Sequence, residues 1–165
     1  MTKLAKVMLA FWFLALLATP ASALEMRPIL TLDVARKIVE ACIVKAQQQG
    51  WKMHVAVLDI GGNLKAFARM DDAQLISEEV AMRKAYTAAA LPRSTRETAD
   101  LAYNNPDRRP SGIAFLPRVA VIQGGLPIMT ASGVHIGGVG VSGSTAQNDE
   151  ACAQAGLDAV KDDLK

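Results

Sequence analysis

Residues 134–143, Val-His-Ile-Gly-Gly-Val-Gly-Val-Ser-Gly, constrain the fold more than any other stretch of this chain. They alternate like a buried strand, yet carry Gly137, Gly138, Gly140 and Gly143. Gly138-Val-Gly140-Val-Ser-Gly143 has the G-x-G-x-x-G spacing of a dinucleotide-binding loop. That fingerprint needs a strand before it, a helix after it, a second parallel strand, and an acid about 20 residues on to hold a ribose. Here the strand and the helix are present. The helix then runs to Lys165 with no second strand, and Asp162 and Asp163 fall at its tail. A Rossmann fold is therefore rejected. Two compatible causes remain for the glycines. Glycine in a strand marks close approach of a ligand or of another backbone. The first fits a flat or bulky ligand lying over the strand, with a carboxylate at the following helix N-terminus. The second fits a helix seated close on the sheet.

The rest of the chain alternates between helical and strand periodicity. Thr31, as N-cap, opens a helix with apolar residues at Leu32, Ala35, Ile38, Val39, Cys42, Ile43 and Ala46, and Gly50 stops it. Residues 53–60 and 64–70 read as a β-hairpin about Gly61-Gly62-Asn63. A second helix spans roughly 74–90, with Ala81, Ala85, Ala88 and Ala89 on one side and Pro92 closing it. Ser94-x-x-Glu97 is a capping box for a short helix to about Tyr103. A loop at 104–112 leads to strands expected near 118–123, 126–131 and 134–142. A last helix over 145–164 opens with a second capping box, Ser144-x-x-Gln147, and with Asp149 and Glu150 in its first turn. Short links make the joined strands antiparallel. The expectation is one α+β domain: a five-stranded antiparallel sheet with helices packed on it, in the order α-β-β-α-α-β-β-β-α.

The first residues, MTKLAK, are basic; VMLAFWFLALLA follows as an apolar run, and Ala21-Ser22-Ala23 suits cleavage. This is the layout of a signal peptide over residues 1–23, with a single domain at 24–165 and a periplasmic or secreted destination. The apolar run is shorter than the roughly 20 residues of a membrane span. Removing 23 of 165 residues leaves 142, enough for one core. Lys3 and Lys6 leave with the leader, so 18 basic residues become 16, against 16 acidic ones. A near-neutral mature domain with no basic stripe argues against nucleic acid as a partner, and no second apolar stretch is long enough to cross a membrane. Cys42 and Cys152 lie outside any C-x-x-C or metal cluster. In an oxidising compartment they form either one disulfide or two buried thiols.

Four stretches, in order along the chain, carry a family resemblance. They are Val57-Leu-Asp59-Ile-Gly61-Gly62-Asn-Leu with Phe67-Ala-Arg69-Met70-Asp71; Ala81-x-x-Lys84-Ala85-x-Thr87-Ala88; Gly124-Gly125-Leu-Pro127-Ile; and Ile136 to Gly143 with Gln147, Asp149, Glu150, Ala153 and Gly156. Together they resemble the GlcG/HbpS-like family of small haem-binding and haem-associated domains. One departure is Asn148, which interrupts the family's Gln-Asp-Glu run. The resemblance implies an α+β fold with a five-stranded antiparallel sheet, assembly into homo-oligomers, and a role in binding haem or a small organic acid, with no established catalysis. It also implies that the helices carrying Cys42 and Cys152 lie side by side, which would allow a bridge.

Haem iron takes His, Met, Tyr or Cys as axial ligand. His135, just before the glycine strand, is the first candidate, and His54 the second. Met70, Met82, Met129, Tyr86 and Tyr103 are weaker, since methionine is usually core filler. Lys84 and Arg69 are candidates to pair with propionates or another carboxylate, whereas Arg83 reads as solvated surface. The expected pocket has one wall made of Gly137, Gly138, Gly140, Ser142, Gly143 and the start of the last helix, and another made of Lys84 and Thr87. No G-x-S-x-G, H-E-x-x-H or spaced carboxylate pair suggests hydrolysis. Alternatives to haem binding are an accessory protein or enzyme holding a small organic acid or redox intermediate in the same pocket, and an oligomeric scaffold without ligand.

Overall fold

A computed structural model describes residues 26–104, 106 and 109–165; the leader expected over residues 1–23 lies outside these residues. Thr31 caps the first helix as expected, its Oγ1 accepting from Val34 N at 3.3 Å. This helix, α1, spans Leu32–Gln49 and ends at Gly50, whose left-handed φ of 70° favours glycine. Strands β1 (His54–Asp59) and β2 (Leu64–Arg69) form the expected hairpin. Helices α2 (Leu75–Ala90) and α3 (Thr95–Tyr103) follow, α3 with the reciprocal Ser94–Glu97 capping box. A 3-10 turn at Gly112–Phe115 leads to β3 (Gly125–Met129), β4 (His135–Ser142) and α4 (Ala146–Ala159).

The sheet is antiparallel in the order β2-β1-β4-β3, with four strands among the described residues rather than the expected five. The missing strand is the one expected near 118–123. That run is β-branched, but Arg118 turns it with a φ of 69°. Ala120 N then donates to Thr87 Oγ1 at 2.8 Å. Its backbone is thus tied to α2 and pairs with no strand. The end of the chain also differs. The cap of α4 is Thr145, which accepts from Asn148 N at 3.2 Å, and not Ser144. Ser144 instead accepts from the Asn148 side chain at 3.0 Å, so the extra residue is absorbed in the cap.

Alternation along β1 splits the core in two. Val55 and Val57 join Ile38, Val39, Cys42, Val139, Val141, Cys152 and Ala153 in the larger cluster, beneath α1 and α4. Ala56 and Leu58 face the other way, against Ala81, Ala85 and Ala89 of α2. Cys42 and Cys152 are bridged, joining α1 to α4 with Cα atoms 4.8 Å apart.

Candidate functional site

A cavity of about 520 Å³ opens where β4 ends and α4 begins. One wall is the turn from Ser142 through Ala146. The other is the start of α2, with Gln74, Ile76, Ser77 and Val80, and Ile122 closes the side. Lys84 and Asp149 lie at its floor.

Lys84 reaches this place because α2 sits unusually close to the sheet. A Cβ on Gly140 would strike Ala81 O and Ala85 N, and one on Gly138 would strike Ala89 N and come within 2.6 Å of Ala85 O. The stripe of alanines and the glycines are two halves of one contact. Within it Lys84 is only 1% exposed. Its Nζ donates to Asp149 Oδ2 at 2.7 Å and to Val141 O at 2.8 Å. Gly124, with a φ of 125°, leaves room for it: a Cβ there would stand 2.6 Å from Nζ. Asp149, 3% exposed, also accepts from Ser144 N at 3.0 Å. Burial pulls the Lys84 ammonium below its usual range and pushes the Asp149 carboxyl above its own; in each case the partner's charge opposes the shift. Other ion pairs, such as Lys37–Asp163 and Arg83–Glu79, lie at the surface, as expected for Arg83.

The expected pocket is thus brought together only in part. Lys84, Ser142 and Gly143 line the cavity. Gly138 and Gly140 do not, because α2 covers them; Gly137 faces the opposite side, where a Cβ would meet Leu58 O and Leu30. Thr87 is buried between two backbone groups, donating to Arg83 O and accepting from Ala120 N, both at 2.8 Å. Arg69 ends β2, exposed, with Nη2 donating to Ala73 O at 3.2 Å.

Neither histidine lines the cavity. His135 lies at the far end of β4, roughly 23 Å away at about 3.3 Å per residue. Its Nε2 sits 2.9 Å from both Ala88 O and Gly137 O, which fixes the proton on that nitrogen. His54 is nearer, opposite Ser142 in the β1–β4 ladder. It is fully buried, its ring 6.0 Å from that of Phe67, with neither nitrogen hydrogen-bonded among the described residues. Burial, helped by the Arg69 charge and opposed by Glu78, lowers its pKa.

The start of the last helix was expected in the pocket, but sequence reasoning did not pair Asp149 with Lys84 and passed over Ser77, Val80 and Ile122. One signal was available for Asp149: a lysine on an alanine face that packs on a sheet needs a buried counter-charge.

Comparison with known proteins agrees with this architecture. Residues 30–158 match the family model described as haem degrading protein HbpS-like. The chain is 33% identical to protein GlcG of Escherichia coli (strain K12) over 119 residues, covering 72% of this chain and 85% of GlcG. Its fold superposes on a crystal structure of HbpS with a TM-score of 0.74 at 33% identity, covering 86% of this chain and 97% of that one. A crystal structure of a PduOC complex with haem gives a TM-score of 0.71 at 30% identity, covering 80% and 95%. The match spans every element from α1 to α4, and the chain belongs to the HbpS-like family.

Proposed function

We propose that this chain is an exported haem-binding protein and that haem enters the cavity between α2 and the start of α4. The observation that carries the reading is the cavity itself, in a fold similar to one solved with haem. Its volume is in the range of small-molecule and cofactor sites, about 300–1,000 Å³. Ile76, Val80 and Ile122 offer apolar surface to a ring, and Ile76 and Ile122 are largely exposed at its rim. The hydroxyls of Ser144 and Thr145 suit a propionate. These contacts fit the macrocycle. They do not include an imidazole, so the reading places no histidine on the iron. Lys84 is already paired with Asp149 and is not the propionate partner.

Export is supported by the leader-like residues 1–23 and by the Cys42–Cys152 bridge, since such bonds persist in oxidising compartments. Homo-oligomerisation is supported by the exposed Leu75, Leu101, Phe115 and Leu116, which cost less when covered. The test of haem binding is a hemin titration of residues 24–165. A Soret band that shifts and saturates at one hemin per chain supports the reading, and a purely linear, free-hemin response contradicts it.

A further inference from the structure

The floor of the cavity holds a primary amine in a setting that anchoring α2 does not require. A buried ion pair is often no more stabilising than apolar residues of the same size. Here one is kept at 1% and 4% exposure, and both of its residues are among those that line an open cavity. The carboxylate stands 2.7 Å from the amine, within reach of a proton transfer.

We propose that Lys84 condenses with small uncharged aldehydes and that Asp149 moves the protons. Asp149 takes one proton from the Lys84 ammonium, and the freed Nζ lone pair attacks the carbonyl carbon. A proton passes from nitrogen to the former carbonyl oxygen. Asp149 then returns its proton to that hydroxyl, which leaves as water while the C=N bond forms. One ammonium and one aldehyde become one iminium and one water, with no oxidant or reductant. The choice of an uncharged carbonyl follows from the surroundings. Asp149 neutralises Lys84 at 2.7 Å and Arg96 pairs with Glu150 at 3.2 Å, so the floor offers no net positive charge to draw a carboxylate onto the amine. Ile76, Val80 and Ile122 suit a short alkyl chain. This site goes beyond haem binding and does not rest on it.

The test uses butanal with cyanoborohydride, which reduces an imine to a stable alkyl-lysine, followed by peptide mapping of the native protein. Lys84 should gain a butyl group before the surface lysines Lys37, Lys52 and Lys65 do. Lys84→Arg, which keeps the charge and cannot form the imine, should lose that label. Asp149→Asn should slow it by about 100-fold or more, the scale of general acid–base catalysis. Full labelling of the surface lysines with Lys84 untouched would overturn the proposal. So would labelling at an unchanged rate in an Asp149→Asn variant that retains the wild-type circular dichroism spectrum.

Discussion

Replacing Gly140 by alanine tests whether the glycines of β4 serve helix packing. The added Cβ would overlap Ala81 O and Ala85 N, which are backbone atoms of α2 and cannot rotate away. Restoring normal contact requires α2 to lift by roughly 1 Å, and a gap of that size forfeits about a quarter to a half of each dispersion well it opens. Overpacking of this kind costs about 1–3 kcal/mol, and the upper end applies because a whole helix must move. At about 2–4 °C per kcal/mol, the melting temperature should fall by roughly 6–12 °C. Chemical unfolding followed by circular dichroism measures this as a lower midpoint at unchanged slope. Gly112→Ala is the control: nothing lies within 4 Å of its Cβ position, and its effect should stay within about 0.5 kcal/mol. Below its unfolding transition, Gly140→Ala should bind hemin like the wild type, because α2 and not ligand covers that residue. A Gly140→Ala protein as stable as wild type but unable to bind hemin would refute the packing explanation.

Removing Lys84 alone leaves Asp149 charged and buried, so Lys84→Ala should cost about 3–5 kcal/mol, while the double change Lys84→Met with Asp149→Leu should cost far less; unfolding of all three measures the coupling. The depressed pKa of His54 means that the unfolded chain takes up a proton first. Its contribution is therefore intact above about pH 6.5 and is lost as pH falls toward the folded value. His54→Leu should flatten unfolding midpoints between pH 7.5 and 5.5, and should not destabilise at pH 7.5 because two unpartnered ring nitrogens disappear. Reducing Cys42–Cys152, which closes a loop of 110 residues, should cost about 2–5 kcal/mol; in non-reduced, denatured protein neither thiol should alkylate. The proposed export predicts an intact mass that begins at Leu24 in protein recovered outside the cytoplasm, and a mass that keeps residues 1–23 would contradict it.

Local chemistry made much of the fold legible. Thr31 with Gly50, and Ser94 with Glu97, bound two helices because caps are written within a few residues. The strand expected near 118–123 failed for a non-local reason: Thr87, more than 30 residues earlier, captures Ala120 N. The glycines admitted two causes until the alanines of α2 were seen lying on them. A paired signal was present, since Ala81, Ala85, Ala88 and Ala89 share a helix face, but the sequence does not say which strand that face meets. Lys84 was singled out as a ligand contact, but its partner Asp149 lies 65 residues away. His135 looked well placed from its position before the glycines; the register instead sets it at the end of β4 remote from the cavity.

The cavity as the haem site is tested most directly by hemin titrations of three proteins side by side: wild type, Ile122→Glu and His135→Ala. Ile122 lines the cavity and is 48% exposed, so a glutamate there leaves the core intact while placing a charge against the ring. The predicted result is a Soret shift of the same position and affinity in wild type and His135→Ala, with hemin affinity reduced about tenfold or more in Ile122→Glu, equivalent to about 1.4 kcal/mol. An unchanged affinity in Ile122→Glu together with a moved Soret band in His135→Ala would place haem at the opposite end of β4 and contradict the cavity site.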